Sequence, residues 1–212
     1  MKWHGVDMAR ATQRGLDRLV NFSDATVAIA LTLLVLPLTD LAREEDHDGV
    51  AALADHTSEI IAFLISFLLI AVIWTEHHRL FEELVAYDGP LLVLNFIWLL
   101  AIVMIPFSQA TTQNLGMDDR PAAVLYIGNL LLAFVALAAM HLVARYDPRV
   151  LDPERRATFD VGVSMVLPGM CALALVVAVT VPAIGRYAVF LLVLGEPVWF
   201  VIRKIATAGK RP

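Results

Sequence analysis

Six stretches of this chain stay apolar for the length a helix needs to cross a bilayer. They run at about 19–38, 60–80, 90–110, 121–143, 161–182 and 187–202, against the ~20 residues that span a hydrocarbon core. Backbone groups in lipid have no water to bond, so a span must be a helix or part of a closed barrel. The two-residue alternation of barrel strands is missing. Composition removes the other classes. Hydrophobic residues make up 59% of the chain and charged ones 17%, where a soluble domain has roughly 45–50% and about 25%. Cys171 is the single cysteine, which excludes a disulfide scaffold. A net charge of −5 without a Lys/Arg stripe excludes a nucleic-acid partner. The expected fold is an all-α membrane protein, with residues 1–212 forming one six-span domain in contact with membrane lipid.

The punctuation agrees with that division. Asp88-Gly89-Pro90 and Asp119-Arg120-Pro121 each put a proline near a first helical position with an aspartate in capping reach. Pro37 and Pro182 stand where the first and fifth spans should end. The first residues carry no apolar core of a cleavable signal peptide. Basic residues set the orientation. Lys2, Arg10, Arg14, Arg18, Arg79, Arg145, Arg149, Arg155, Arg156, Arg203, Lys204, Lys210 and Arg211 fall on one side, against Arg43, Arg120 and Arg186 on the other. The positive-inside rule then predicts both termini in the cytoplasm. The outer loop at about 39–59 is rich in acid, including Asp40, and reads either as a cation-gathering vestibule or as a plain solvated loop.

The first span opens with a polar cluster, Arg18, Asn21, Ser23 and Asp24, where a membrane helix normally avoids charge. Depth arithmetic supplies partners. The second span runs inward and brings Trp74, His77 and His78 to this level, and the third starts outward with Asn95. Arg18, Ser23, Asp24, Trp74, His77, His78 and Asn95 are therefore expected to form one buried interhelical network, with Arg18 as counter-charge to Asp24. No nucleophile stands beside a base, so an enzyme is not expected. The adjacent His77 and His78 point about 100° apart on a helix, so no metal is expected. Beyond the cluster, Ile29, Thr32 and Leu36 lie on one stripe, a pattern that simple helix packing also produces.

Arg18-Leu-Val-Asn-Phe22-Ser23-Asp24 matches the R-x-x-x-F-S-D hallmark of the transmembrane protein 175 family of potassium channels, and Ala25, Ile29, Thr32, Leu36 and Pro37 continue the match. The chain resembles that family across its six-span layout, and in fragments such as Ile105-Pro106-Phe107. The resemblance implies a potassium-permeable cation channel without a T-V-G-Y-G filter, which is missing from this sequence. It implies a homotetramer, because a single repeat resembles the prokaryotic members, and hence a prokaryotic plasma membrane. It implies a pore lined by the first span, with Ile29 at the constriction, Thr32 as a hydroxyl ring, Leu36 as an outer apolar ring, and Arg18, Ser23 and Asp24 in an interhelical network. Potassium would be the permeant ion, with other monovalent cations alongside. No cofactor is implied.

A proton-coupled secondary transporter using Asp24, the histidines or Glu196 is the competing class, but inverted repeats and broken midplane helices are not evident. Glu196 is read as a paired or wetted carboxylate beside Pro197, His141 as interfacial, and Trp98 and Trp199 as packing or belt aromatics. Gly162, Ser164 and Gly169 suggest close helix contact in the fifth span.

Overall fold

The computed structural model describes residues 13–39, 56–116, 119–147, 149–155, 159 and 161–181. These residues form five α-helices: α1 (Gln13–Leu33), α2 (Thr57–Glu82), α3 (Gly89–Leu115), α4 (Arg120–Tyr146) and α5 (Val166–Thr180). The first four are long and apolar enough to cross a membrane, which makes this an integral membrane protein. The sixth expected span, the acidic loop from Asp40 to Asp55, Glu196, Trp199 and both termini lie outside the described residues.

Local chemistry sets the helix ends. Asp88 and Asp119 cap α3 and α4, accepting the backbone N–H of Leu91 at 2.9 Å and of Ala122 at 3.0 Å. In both helices a proline occupies the first turn, where its missing N–H costs nothing. The first span differs from its expected extent. Regular helix ends at Leu33, and a turn at residues 34–35 leads into a short helical stretch to Thr39. Pro37 has no N–H to give the Leu33 carbonyl, so the ladder fails four residues before the proline. The fifth span also starts later than expected. Ser164 and Met165 bond back three residues to Val161 and Gly162, and the α-helix begins at Val166. Pro168 falls in its first turn, the one place where a helix tolerates it. The remaining 15 residues rise about 22 Å, short of a full crossing.

Helix association in lipid depends on small residues and interhelical hydrogen bonds rather than on the hydrophobic effect. Helix α4 supplies both. Its packed face carries Ala122, Ala123, Ala133, Ala136, Ala138 and Ala144. Tyr126 bonds Ser66 of α2 at 2.8 Å, the Asn129 amide donates to the Ala101 carbonyl of α3 at 2.9 Å, and the Cys171 thiol of α5 donates to the Ile127 carbonyl at 3.6 Å. One polar stitch thus ties α4 to each of α2, α3 and α5. At one end of the bundle the α2–α3 and α4–α5 connections pair as a short antiparallel bridge between Leu84 and Leu151, with Val85 N–H on the Val150 carbonyl and Asp152 N–H on the Glu83 carbonyl. This bridge places the α2 C-terminus, the α3 N-terminus and the α4 C-terminus on the same side.

Gly169 does not make the close contact expected of it, since a Cβ there would meet nothing within 4 Å.

Candidate functional site

Helix α1 is buried along one stripe. Leu16, Leu19, Ser23, Val27, Ala30 and Leu34, at three- and four-residue spacing, turn toward α2 and α3. The opposite stripe is bare. Ile29 is 60% exposed and Leu36 51% exposed, and Thr32 lies exposed between them. The Thr32 hydroxyl donates to the Ile29 carbonyl at 2.7 Å, so its oxygen lone pairs remain available on the exposed side.

At Ser23 the buried stripe joins a relay. His77 Nε2 donates to Asn95 Oδ1 at 2.8 Å, Asn95 Nδ2 donates to Ser23 Oγ at 3.0 Å, and Ser23 Oγ donates to the Leu19 carbonyl at 2.9 Å. All three side chains are fully buried. The bond to Asn95 fixes the tautomer of His77, and its Nδ1 is buried without a hydrogen-bond partner. The ring is clamped between Trp98, with centroids 3.9 Å apart and planes 12° from parallel, and Phe81 at 4.3 Å. Trp98, with no exposure at all, is therefore a core residue and not a belt aromatic.

A second limb holds Asp24. The Trp74 indole donates to Asp24 Oδ1 at 2.8 Å, Trp74 stacks on His78 at 5.2 Å, and His78 Nε2 lies 3.5 Å from Glu82 Oε1. His78 thus touches the limb through its ring and bonds away from it. Arg18 is not part of this arrangement. It is exposed and has no hydrogen bond or ion pair within the described residues. Six residues along a helix turn about 240° and rise ~9 Å, so Arg18 and Asp24 face different ways on α1, and an indole meets the carboxylate where a guanidinium was expected.

Other polar groups were not singled out by the sequence. Ser66, Tyr126 and Asn129 stitch the bundle, and Gln109 is buried with neither amide atom partnered. The available signal was the presence of polar residues deep inside apolar spans. His141, expected at the interface, is buried. Its Nδ1 donates to the Leu137 carbonyl at 2.9 Å, and the ring stacks on Phe159. Among the described residues no three His, Cys, Asp or Glu side chains gather to hold a metal.

The family profile described as "Endosomal/lysosomal potassium channel TMEM175" matches residues 18–106, the stretch that carries both limbs and the bare stripe. The chain is 32% identical over 188 residues to a potassium channel of Streptomyces collinus, covering 82% of this chain and 89% of that one. It is 29% identical over 180 residues to the endosomal/lysosomal proton channel TMEM175 of Danio rerio, and spans 34% of that longer protein's length. The crystal structure of a lysosomal potassium-selective channel TMEM175 homolog from Chamaesiphon minutus has the same fold, with a TM-score of 0.69 at 24% identity over 90% of this chain and 98% of that one. On the length and identity of the Streptomyces match, the chain belongs to the TMEM175 channel family.

Proposed function

We propose that this chain is one subunit of a potassium-permeable cation channel in which four copies of α1 surround a central pore. The observation that carries the reading is the division of α1. Its inner stripe is packed by its own subunit, while Ile29, Thr32 and Leu36 are left free to face symmetry mates. A single subunit encloses no path, so a closed ring of copies is required. The Streptomyces relative of comparable length is named a potassium channel, which supports the choice of ion. In this reading the chain has six spans, both termini in the cytoplasm, and a place in a prokaryotic plasma membrane, and it is not an enzyme.

Four Ile29 side chains form a collar narrower than a hydrated ion, and the collar bars conduction by dewetting. Leu36 forms a second apolar ring, and Thr32 hydroxyl oxygens between them replace part of an ion's hydration. The relay through Ser23, Asn95 and His77, with the Trp74–Asp24 limb, fixes the rotation of α1 and so sets the balance of open and closed states. Asp40 and the acidic loop concentrate cations outside.

Planar-bilayer recordings of purified protein in asymmetric potassium and sodium test this. Discrete current steps are expected, and Ile29→Asn should wet the collar and raise the conductance. Unchanged conductance removes Ile29 from the gate. A saturating flux that requires a proton gradient identifies a transporter instead.

A further inference from the structure

Beside the bridge between the two connections, the α3 N-terminus and α4 C-terminus flank an open groove of 630 Å³ lined by Pro90, Leu142, Val143, Tyr146, Asp147 and Arg149. Its wall is apolar and its rim is not. Arg149 is held by one carboxylate: Asp147 Oδ1 accepts from its backbone N–H and its Nε, and Asp147 Oδ2 accepts from its Nη2, all within 2.9–3.0 Å. That grip employs two of the five guanidinium N–H groups. The side chain is still 77% exposed, so three donors remain on a pre-set fork. The same hydrogen bonds to Asp147 push the Arg149 pKa above its ordinary value, so its charge is permanent. Asp88, whose charge Arg149 also feels, spends one oxygen capping α3. Arg145 adds an exposed positive charge in the last turn of α4. Tyr146, 80% exposed at the last position of α4, is an aromatic of the kind that settles at headgroup level.

An apolar wall that ends in a fixed guanidinium matches an amphiphile rather than a soluble anion. Guanidinium forks take two phosphate oxygens at once, and basic clefts between membrane helices hold lipid headgroups. We propose that this groove is a binding site for a membrane glycerophospholipid. One acyl chain lies along Pro90, Leu142 and Val143, and the phosphodiester sits on the free edge of Arg149. The orientation proposed above makes this an inner-leaflet lipid. The bound lipid would tie the paired α2–α3 and α4–α5 connections to the plane of the membrane.

Native mass spectrometry of the detergent-purified protein tests the site. The protein is titrated with phosphatidylglycerol or with diacylglycerol of the same chains. Phosphatidylglycerol adducts should appear at about tenfold lower concentration, and Arg149→Ala should abolish most of that advantage, the loss expected for one charge-assisted pair. Leu142→Trp, which fills the groove, should remove the adduct with Arg149 intact. Millimolar inorganic phosphate should not displace the lipid. Equal retention of diacylglycerol, an Arg149→Ala protein that binds as wild type does, or displacement by phosphate would each overturn the proposal. Adduct formation depends on neither conduction nor sidedness, so failure of the channel reading would be seen separately, in the bilayer recordings and in labelling from each face.

Discussion

The Trp74 indole and the Asp24 carboxylate meet at 2.8 Å across 50 residues of sequence, and they join α2 to α1. A carboxylate within an apolar span costs a few kcal/mol unless something satisfies it, and here a neutral donor does so. Trp74→Phe keeps most of the ring and deletes the donor. It should destabilise the protein by about 1–2 kcal/mol, the upper range for interhelical bonds in lipid. Asp24→Asn, which retains an acceptor oxygen, should cost less. Thermal unfolding in detergent would decide it, and equal midpoints for wild type and Trp74→Phe would show that the pair is not coupled to stability.

Among the described residues Asn95 is the one hydrogen-bonded link between Ser23 and His77. Asn95→Leu fits the apolar surroundings but strands the buried imidazole N–H of His77 and takes from the Ser23 oxygen the donor it accepts, leaving that hydroxyl only its bond to the Leu19 carbonyl. A loss of about 1–3 kcal/mol is expected, or a fall of several degrees in the unfolding midpoint for a chain of this size. A rise in the midpoint would show that the relay serves function at the expense of stability.

Thr32 gives its proton to the Ile29 carbonyl and keeps its lone pairs outward. Thr32→Val preserves the shape and removes the oxygen. If four such oxygens contact the ion, a change near 1 kcal/mol in relative ion free energy shifts the potassium-to-sodium permeability ratio about fivefold. Reversal potentials under bi-ionic conditions measure it, and an unaltered ratio discards the hydroxyl ring.

Asp88 caps α3 at the turn that leads out of α2. Asp88→Ala should cost about 0.5–2 kcal/mol, seen as faster hydrogen exchange at Leu91 and Leu92. Unchanged exchange there would mean that Pro90 and packing suffice to start the helix.

Cys171 is the single cysteine and is buried, so probes added by mutation report against a quiet background. Tyr146→Cys should react with a membrane-impermeant maleimide from the cytoplasmic face alone, and Asn114→Cys, at the other end of α3, from the opposite face alone. The reverse pattern would invert the proposed topology.

Several features were readable in the chain because their causes are local. Pro90 and Pro121 with Asp88 and Asp119 set two helix starts through bonds spanning three residues. Pro37 ended the first regular helix, though four residues early, because the bond it cancels lies one turn back. That Ser23, Asp24, Trp74, His77 and Asn95 share a depth followed from counting residues along spans of alternating direction. Their pairing did not follow. Depth is a one-dimensional quantity, and the partner of Asp24 depends on how far α1 and α2 are rotated about their axes. The position of Arg18, on another face of the same helix, shows the limit of that arithmetic. Ser66, Tyr126, Asn129 and Gln109 stayed silent for the same reason, since each is a single polar residue whose meaning depends on a neighbour from another helix.

The amino-acid sequence by itself determined that this is a helical membrane protein, where most of its spans lie and which segment carries the family hallmark, because apolar length, caps and motifs are properties of contiguous residues. Only the tertiary structure decided that α1 buries Ser23, Val27 and Ala30 and leaves Ile29, Thr32 and Leu36 bare, that Asp24 pairs with an indole, and that α3 and α4 leave a groove beside Arg149. Those outcomes are set by helix rotation and by contacts between distant segments, where packing of small residues and the need to satisfy buried polar groups choose among arrangements that the chain's local pattern leaves equivalent.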